Sequence, residues 1–188
     1  ATTWRAWFSP AASSASLSSS SVTVNNNSAG HGLNAAVTGN APITAGSYDN
    51  NGSTGLTLSV TSGDISITGG TTASDNNILG ISLTASTTTG DVTITSATAN
   101  GNGVKGIEIV SAAKLDASSV TANGNDLSGM TATVSGPITI KGGSYSNNTN
   151  VNGLELSSTG SVSITSVTAS GNNVFGIYVV TATSLDSV

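Results

Sequence analysis

A glycine followed by an aliphatic residue, one variable position and another apolar or small residue recurs seven times, at Gly32-Leu33, Gly55-Leu56, Gly80-Ile81, Gly106-Ile107, Gly129-Met130, Gly153-Leu154 and Gly176-Ile177. The intervals are 23, 25, 26, 23, 24 and 23 residues. A period of this length marks a repeat architecture, in which one unit cannot bury its own apolar face and neighbours must stack. A second alternating segment follows each glycine, with apolar or small residues at Ile43, Ile65 and Ile67, Val92 and Ile94, Leu115 and Ala117, Ile138 and Ile140, Val162 and Ile164, and Leu185 and Ser187. Alternation with period two predicts short strands. A third, weaker segment offers inward candidates at Val22 and Val24, Ala97 and Ala99, Val120 and Ala122, Gly143 and Tyr145, and Val167 and Ala169. Each unit therefore reads as three strands.

One asparagine follows the third segment in every unit: Asn27, Asn51, Asn76, Asn102, Asn125, Asn148 and Asn172. Asparagine tolerates left-handed backbone at a sharp bend, and its amide can donate to one neighbouring copy while accepting from the other at the strand spacing of about 4.8 Å. The phase predicts an Asn ladder along one turn. Between the asparagine and the next glycine an apolar residue often returns (Ile78, Val104, Leu127, Val151, Val174), which suggests a loop folding its side chain back under the coil. Three short strands with tight turns and a period near 24 describe an all-β, parallel β-solenoid of about seven coils. About six inward residues per coil, at roughly 1.5–3 kcal/mol for each large one, stand against about 1–2 kcal/mol of backbone entropy for every residue fixed. A lone coil cannot fold, so stability must come from stacking.

Composition excludes several alternatives. Of 188 residues, 33 are Ser, 28 Thr, 19 Asn and 23 Gly, which leaves too few helix formers for a bundle. No apolar run is long enough for a spanning helix. Four Lys+Arg against nine Asp+Glu give a net charge of −5, so the counterion release on which nucleic-acid binders depend is missing. With no cysteine there is no disulfide framework, thiolate metal site or cysteine nucleophile.

The stretch Ala99 to Ile109 fits A-x-x-N-x-x-x-G-I-x-I, and with small spacing changes this pattern extends from about residue 17 to the end. It resembles the right-handed parallel β-helix repeat of secreted bacterial proteins. Phrases such as Gly90-Asp-Val-Thr-Ile-Thr95 followed by Ala99-Asn100 look like large repetitive bacterial surface proteins. The resemblance implies right-handed winding and an extracellular or cell-surface location. Some members of that superfamily are polysaccharide-cleaving enzymes, and others are adhesins or fibre components.

Residues 1–16 break the repeat and hold Trp4, Trp7 and Phe8. They read as an N-terminal aromatic cap or docking segment, with a sugar-stacking platform as the alternative, and residues 17–188 read as a single β-helix domain. The repeat is expected to leave its C-terminal end open, so that Leu185 and Val188 would meet Trp4, Trp7 and Phe8 of another copy. Identical chains joined head to tail make a heterologous contact that propagates as a filament.

Little in the sequence carries catalytic chemistry. Polysaccharide hydrolysis needs paired carboxylates a few ångströms apart. Glu108 and Glu155 share an outward column with Asn34, Thr57, Ser82, Thr131 and Tyr178, but Thr131 separates them. The enzymatic members of the superfamily carry adjacent Asp pairs and basic segments; here no Asp-Asp pair occurs and Arg5 is the only arginine, so no catalytic residue carries over and no enzyme is expected. The single histidine, His31, shares a column with Thr54, Leu79, Lys105, Ser128, Asn152 and Phe175 and reads as a variable surface position. Asp64 and Asp91 should stack on adjacent coils and form a weak calcium candidate, with Lys114 next in the column as an alternative partner for Asp91. No cofactor is expected. Hydroxyl rows at Ser66 and Thr68, Thr93 and Thr95, and Ser163 and Thr165 resemble ice-binding surfaces, although Asp116, Lys141 and Asp186 interrupt them. The leading expectation is an extracellular structural subunit stacking head to tail into a surface filament, sheath or adhesive fibre. A carbohydrate-binding or carbohydrate-cleaving module is the alternative, and an ice-binding surface a lesser one. Partners are copies of the chain and, secondarily, surface carbohydrate, with no nucleic acid and no membrane span.

Overall fold

A computed structural model describes residues 15–187, residue 182 excepted. Its strands in chain order are β1 (Ser19–Ser20), β2 (Leu33–Val37), β3 (Ala41–Thr44), β4 (Leu56–Val60), β5 (Ile65–Thr68), β6 (Ile81–Thr84), β7 (Asp91–Thr95), β8 (Ile107–Ser111), β9 (Lys114–Ser118), β10 (Met130–Val134), β11 (Ile138–Lys141), β12 (Leu154–Ser158), β13 (Ser161–Thr165), β14 (Ile177–Thr181) and β15 (Ser184–Ser187). No helix occurs among the described residues, and hence none long and apolar enough to cross a membrane. Odd-numbered strands pair in sequence into an eight-stranded sheet, and even-numbered strands into a seven-stranded one. All pairs are parallel, for example Ile43 with Ile67 and Ile67 with Ile94. This is a parallel β-solenoid of about seven turns.

The third predicted strand shrinks to one bridge per coil, in the row Thr23, Ser47, Thr72, Thr98, Thr121, Ser144 and Thr168. It is short because left-handed residues close in from both sides. Ser21, Ala45, Gly69, Ser96, Ser119, Gly142 and Ser166 have positive φ before it, and Asn26, Asn50, Asp75, Gly101, Gly124, Asn147 and Gly171 after it. The ladder asparagines are therefore not the left-handed residues; the position before each one makes the bend. Asn, Asp and Gly tolerate that conformation best, which accounts for its composition.

Inward positions alternate as expected, with Ile65, Ile67, Ile81, Leu83, Val92, Ile94, Ile107 and Leu115 all buried. Where the third segment carries a large side chain, the inward position two residues earlier is glycine: Gly46 precedes Tyr48 and Gly143 precedes Tyr145. A Cβ at Gly46 would lie 2.5 Å from the Tyr48 ring, so the ring occupies the volume that the glycine vacates.

Val22 shares the inward column of Thr71, Ala97 and Val120 and is 38% exposed in the first described coil. One sequence expectation fails. The loop residues Ile78, Val104, Leu127, Val151 and Val174 do not fold under the coil; Ile78 is 42% and Val174 53% exposed, and the other three are half-buried. The interior beside them is already filled by the asparagine and glycine columns, so this stripe faces outward. Its backbone still stacks, with Val104 N–H donating to Ile78 O at 2.8 Å and Leu127 N–H to Val104 O at 2.6 Å. Val110 and Val180 are exposed because each is skipped in the strand register, a bulge that turns one side chain out.

Candidate functional site

The most organised polar structure is the corner that carries the asparagines. In each coil the backbone N–H and the side-chain amide of one asparagine both donate to Oδ1 of the asparagine in the next coil. For Asn76 and Asn102 these distances are 3.0 and 3.1 Å, and for Asn102 and Asn125 they are 2.9 and 3.0 Å. The ladder runs unbroken from Asn27 to Asn172. The amide also reaches back to the preceding coil, as in Asn51 Nδ2 donating to Val24 O at 3.1 Å and Asn172 Nδ2 to Tyr145 O at 2.9 Å. Asn51, Asn76, Asn102, Asn125 and Asn148 are buried. Paired donors and acceptors are what make such burial tolerable.

The recurrent glycine belongs to the same device. A Cβ at Gly106 would lie 2.6 Å from Gly129 O, 2.7 Å from Ala99 O and 2.8 Å from Asn125 Nδ2. Gly55, Gly80, Gly129 and Gly153 meet the equivalent atoms at 2.4–2.9 Å. These glycines are selected by space, because the ladder amide and the neighbouring glycine carbonyl occupy the side-chain volume. Their φ is not positive.

A second ladder, which sequence reasoning missed, lies two residues earlier in Asn25, Asp49, Ser74, Asn100, Asn123, Ser146 and Ser170. Here each backbone N–H donates to the side chain of the preceding coil: Asp49 to Asn25 at 2.7 Å, Ser74 to Asp49 at 2.7 Å, Asn100 to Ser74 at 3.0 Å, Asn123 to Asn100 at 2.8 Å, Ser146 to Asn123 at 2.7 Å and Ser170 to Ser146 at 3.1 Å. Its polarity opposes that of the Asn ladder. The available signal was a column of short acceptors, hidden because Asn, Asp and Ser serve equally well.

Asp64 and Asp91 stack as expected, in a third short ladder. Asp64 N–H donates to Asn40 Oδ1 at 3.0 Å, and Asp91 N–H to Asp64 Oδ1 at 2.9 Å. The Asp64 carboxylate thus caps its neighbour's backbone, and no cluster of three metal-ligating side chains occurs among the described residues. Lys114 sits beside Asp91 in register, but its ammonium pairs at 2.6 Å with Asp116, two residues along its own strand and on the same face. That hydrogen bond and attraction to Asp116 raise the Lys114 pKa, with Asp91 contributing less.

Glu108 and Glu155 flank Thr131 as expected. Glu108 pairs with Lys105 at 2.6 Å, and Glu155 accepts from Asn152 at 3.3 Å. In the last coil the same two columns hold Phe175 and Tyr178, whose rings stack at 5.3 Å and are about half exposed. His31 is exposed, 3.5 Å from Ser53. Register sets Ser66, Thr93, Asp116, Thr139, Ser163 and Asp186 in one outward row, with Lys141 in the row beside it. Leu185 is 55% exposed on the edge strand β15 and, with Ile164, Ile177 and Val179, lines an apolar depression of about 350 Å³. Trp4, Trp7, Phe8 and Val188 lie outside the described residues. Comparison with known proteins finds no matching family model, no matching curated protein and no matching solved structure.

Proposed function

We propose that this chain is a structural protein of the cell exterior, a stiff solenoid rod that stacks head to tail with copies of itself into a filament, sheath or adhesive fibre. The observation that carries this reading is the matched polarity of the two ladders. At Asn172 the Asn ladder presents a backbone N–H, and at Asn27 it presents Oδ1. The second ladder presents an Oγ at Ser170 and an N–H at Asn25. Unlike ends complement each other, whereas like ends would set donor against donor.

The layer count sets a condition on such a joint. With eight layers in one sheet and seven in the other, a seven-layer step would put Ser19–Ser20 of one copy in the slot held by Ser184–Ser187 of the next. An eight-layer step would leave one open layer at the ladders and beyond β14, so Asn172 and Asn27 would complement each other only across one further rung, which residues 1–14 of the incoming copy, with Trp4, Trp7 and Phe8, would have to supply in the same donor-to-acceptor sense. The external location rests on the short, neutral, hydroxylated side chains and on the β-helix resemblance. Electron microscopy of the concentrated chain should show rods, and deletion of residues 1–8 should abolish them. Monodisperse single solenoids from the intact chain would refute the reading.

A carbohydrate-binding role is favoured by one observation, the exposed Phe175–Tyr178 stack beside Asn152 and Glu155. A panel of neutral and acidic polysaccharides, titrated against the chain and its Tyr178→Ala variant and assayed for released reducing ends, tests it.

A further inference from the structure

Asparagine followed by glycine is the dipeptide most open to deamidation, because glycine has no side chain to keep its backbone nitrogen from the preceding Cγ. The chain holds five such steps, at Asn51, Asn100, Asn102, Asn123 and Asn152. In every one the attacking nitrogen already donates across to a neighbouring coil: Gly52 to Asn27 O at 2.7 Å, Gly101 to Asn123 O at 3.0 Å, Gly103 to Asn76 O at 2.9 Å, Gly124 to Ser146 O at 3.0 Å and Gly153 to Phe175 O at 2.9 Å. The amide oxygen is held too. Asn51 Oδ1 accepts from Asn27, Asn102 Oδ1 from Asn76, Asn100 Oδ1 from Asn123, Asn123 Oδ1 from Ser146 and Asn152 Oδ1 from Phe175.

At each step both bonds go to one and the same neighbouring coil. Asn51 and Asn102 are locked by the coil on their N-terminal side, whereas Asn100, Asn123 and Asn152 are locked by the coil on their C-terminal side. We propose that these five asparagines are latent deamidation sites which the stack holds closed, and that their modification records the direction in which the solenoid unzips. When the locking coil lifts, the glycine nitrogen loses its proton and attacks Cγ, ammonia leaves, and water opens the succinimide to aspartate or isoaspartate. At Asn51 or Asn102 the product sets an oxygen against the Oδ1 of Asn76 or Asn125, acceptor against acceptor, in the coil on the C-terminal side, so modification weakens the next interface in the direction of unzipping. Loss from the C-terminal end exposes Asn152 first, then Asn123, then Asn100. Loss from the N-terminal end exposes Asn51 before Asn102.

The test is peptide mapping of the intact chain, incubated at mildly alkaline pH and at stepwise higher temperature below its melting midpoint until the first site reacts. The chain in concentrated urea gives the open rates. All five sites should react in urea, and in the folded chain each should be slowed by about a hundredfold or more, since reaction waits for local opening. The folded sites should react in one of the two end-ordered sequences, or in both at once. Reaction of the folded chain at the urea rates would overturn the lock. Equal slowing at all five positions would show global opening and overturn the directional record.

Discussion

Truncating one ladder asparagine to alanine should be costly in the middle of the stack and mild at its first rung, although the residue and its column are the same. Asn102→Ala removes the acceptor of both Asn76 N–H and Asn76 Nδ2, which lie 3.0 and 3.1 Å away and are buried. Each stranded donor costs about 1–3 kcal/mol. Asn125 Oδ1 loses one donor but keeps the Asn102 N–H at 2.9 Å, so the expected loss is about 2–5 kcal/mol. Asn27→Ala removes only a donation to Asn51 Oδ1, which keeps the Asn27 N–H at 3.2 Å, and should cost about 0.5–1.5 kcal/mol. At roughly 2–4 °C per kcal/mol for a chain of this size, melting should fall by about 4–20 °C for Asn102→Ala and about 1–6 °C for Asn27→Ala. Circular dichroism melts, with urea midpoints alongside, measure both. Equal losses at the two positions would mean that the ladder contributes through local bend geometry and not through its stacked donors and acceptors.

Gly106→Ala should lower stability by about 1–3 kcal/mol, because the new Cβ meets two carbonyls and an amide under 3.0 Å. Gly30→Ala, with nothing within 4 Å, should be neutral or gain up to about 1 kcal/mol through the unfolded chain; parallel urea titrations compare them. Tyr145→Phe should stabilise by about 1–2 kcal/mol, since its buried hydroxyl lacks a partner. Tyr48→Phe should cost about 0.5–1.5 kcal/mol, through loss of the 3.3 Å contact with Ser19. Burial raises the pKa of both phenols. Folding therefore favours the protonated form, and this contribution is full below about pH 10 and declines as pH rises above it. Urea midpoints between pH 8 and pH 11.5 should show that decline, and Tyr145→Phe should flatten most of it.

The corner shows why parts of this architecture were readable in advance and parts were not. The asparagine column is legible because each rung accepts two bonds from one coil and donates to the other, a reach and valence that the asparagine amide fits, so one residue type repeats. The second ladder needs only an acceptor, and the variety of Asn25, Asp49 and Ser74 conceals it. Ile78 and Val174 read as core because apolar side chains usually are; what turns them outward is an interior already occupied by Asn76, Asn172 and the glycines. The Lys114 pair with Asp116, in place of Asp91, was likewise a choice between two neighbours on one face, settled by side-chain placement.

The linear chain alone determined the winding: its period, the alternation of inward residues and the phase of the asparagines. In-register parallel stacking maps equal positions onto equal columns, so repetition along the chain becomes repetition in space. Tertiary structure decided which side of the asparagine makes the bend, that Gly106 must be glycine because Asn125 Nδ2 stands 2.8 Å from its missing Cβ, and that the ladders run in opposite senses. Each depends on how atoms of adjacent coils approach one another, a distance that no single repeat contains.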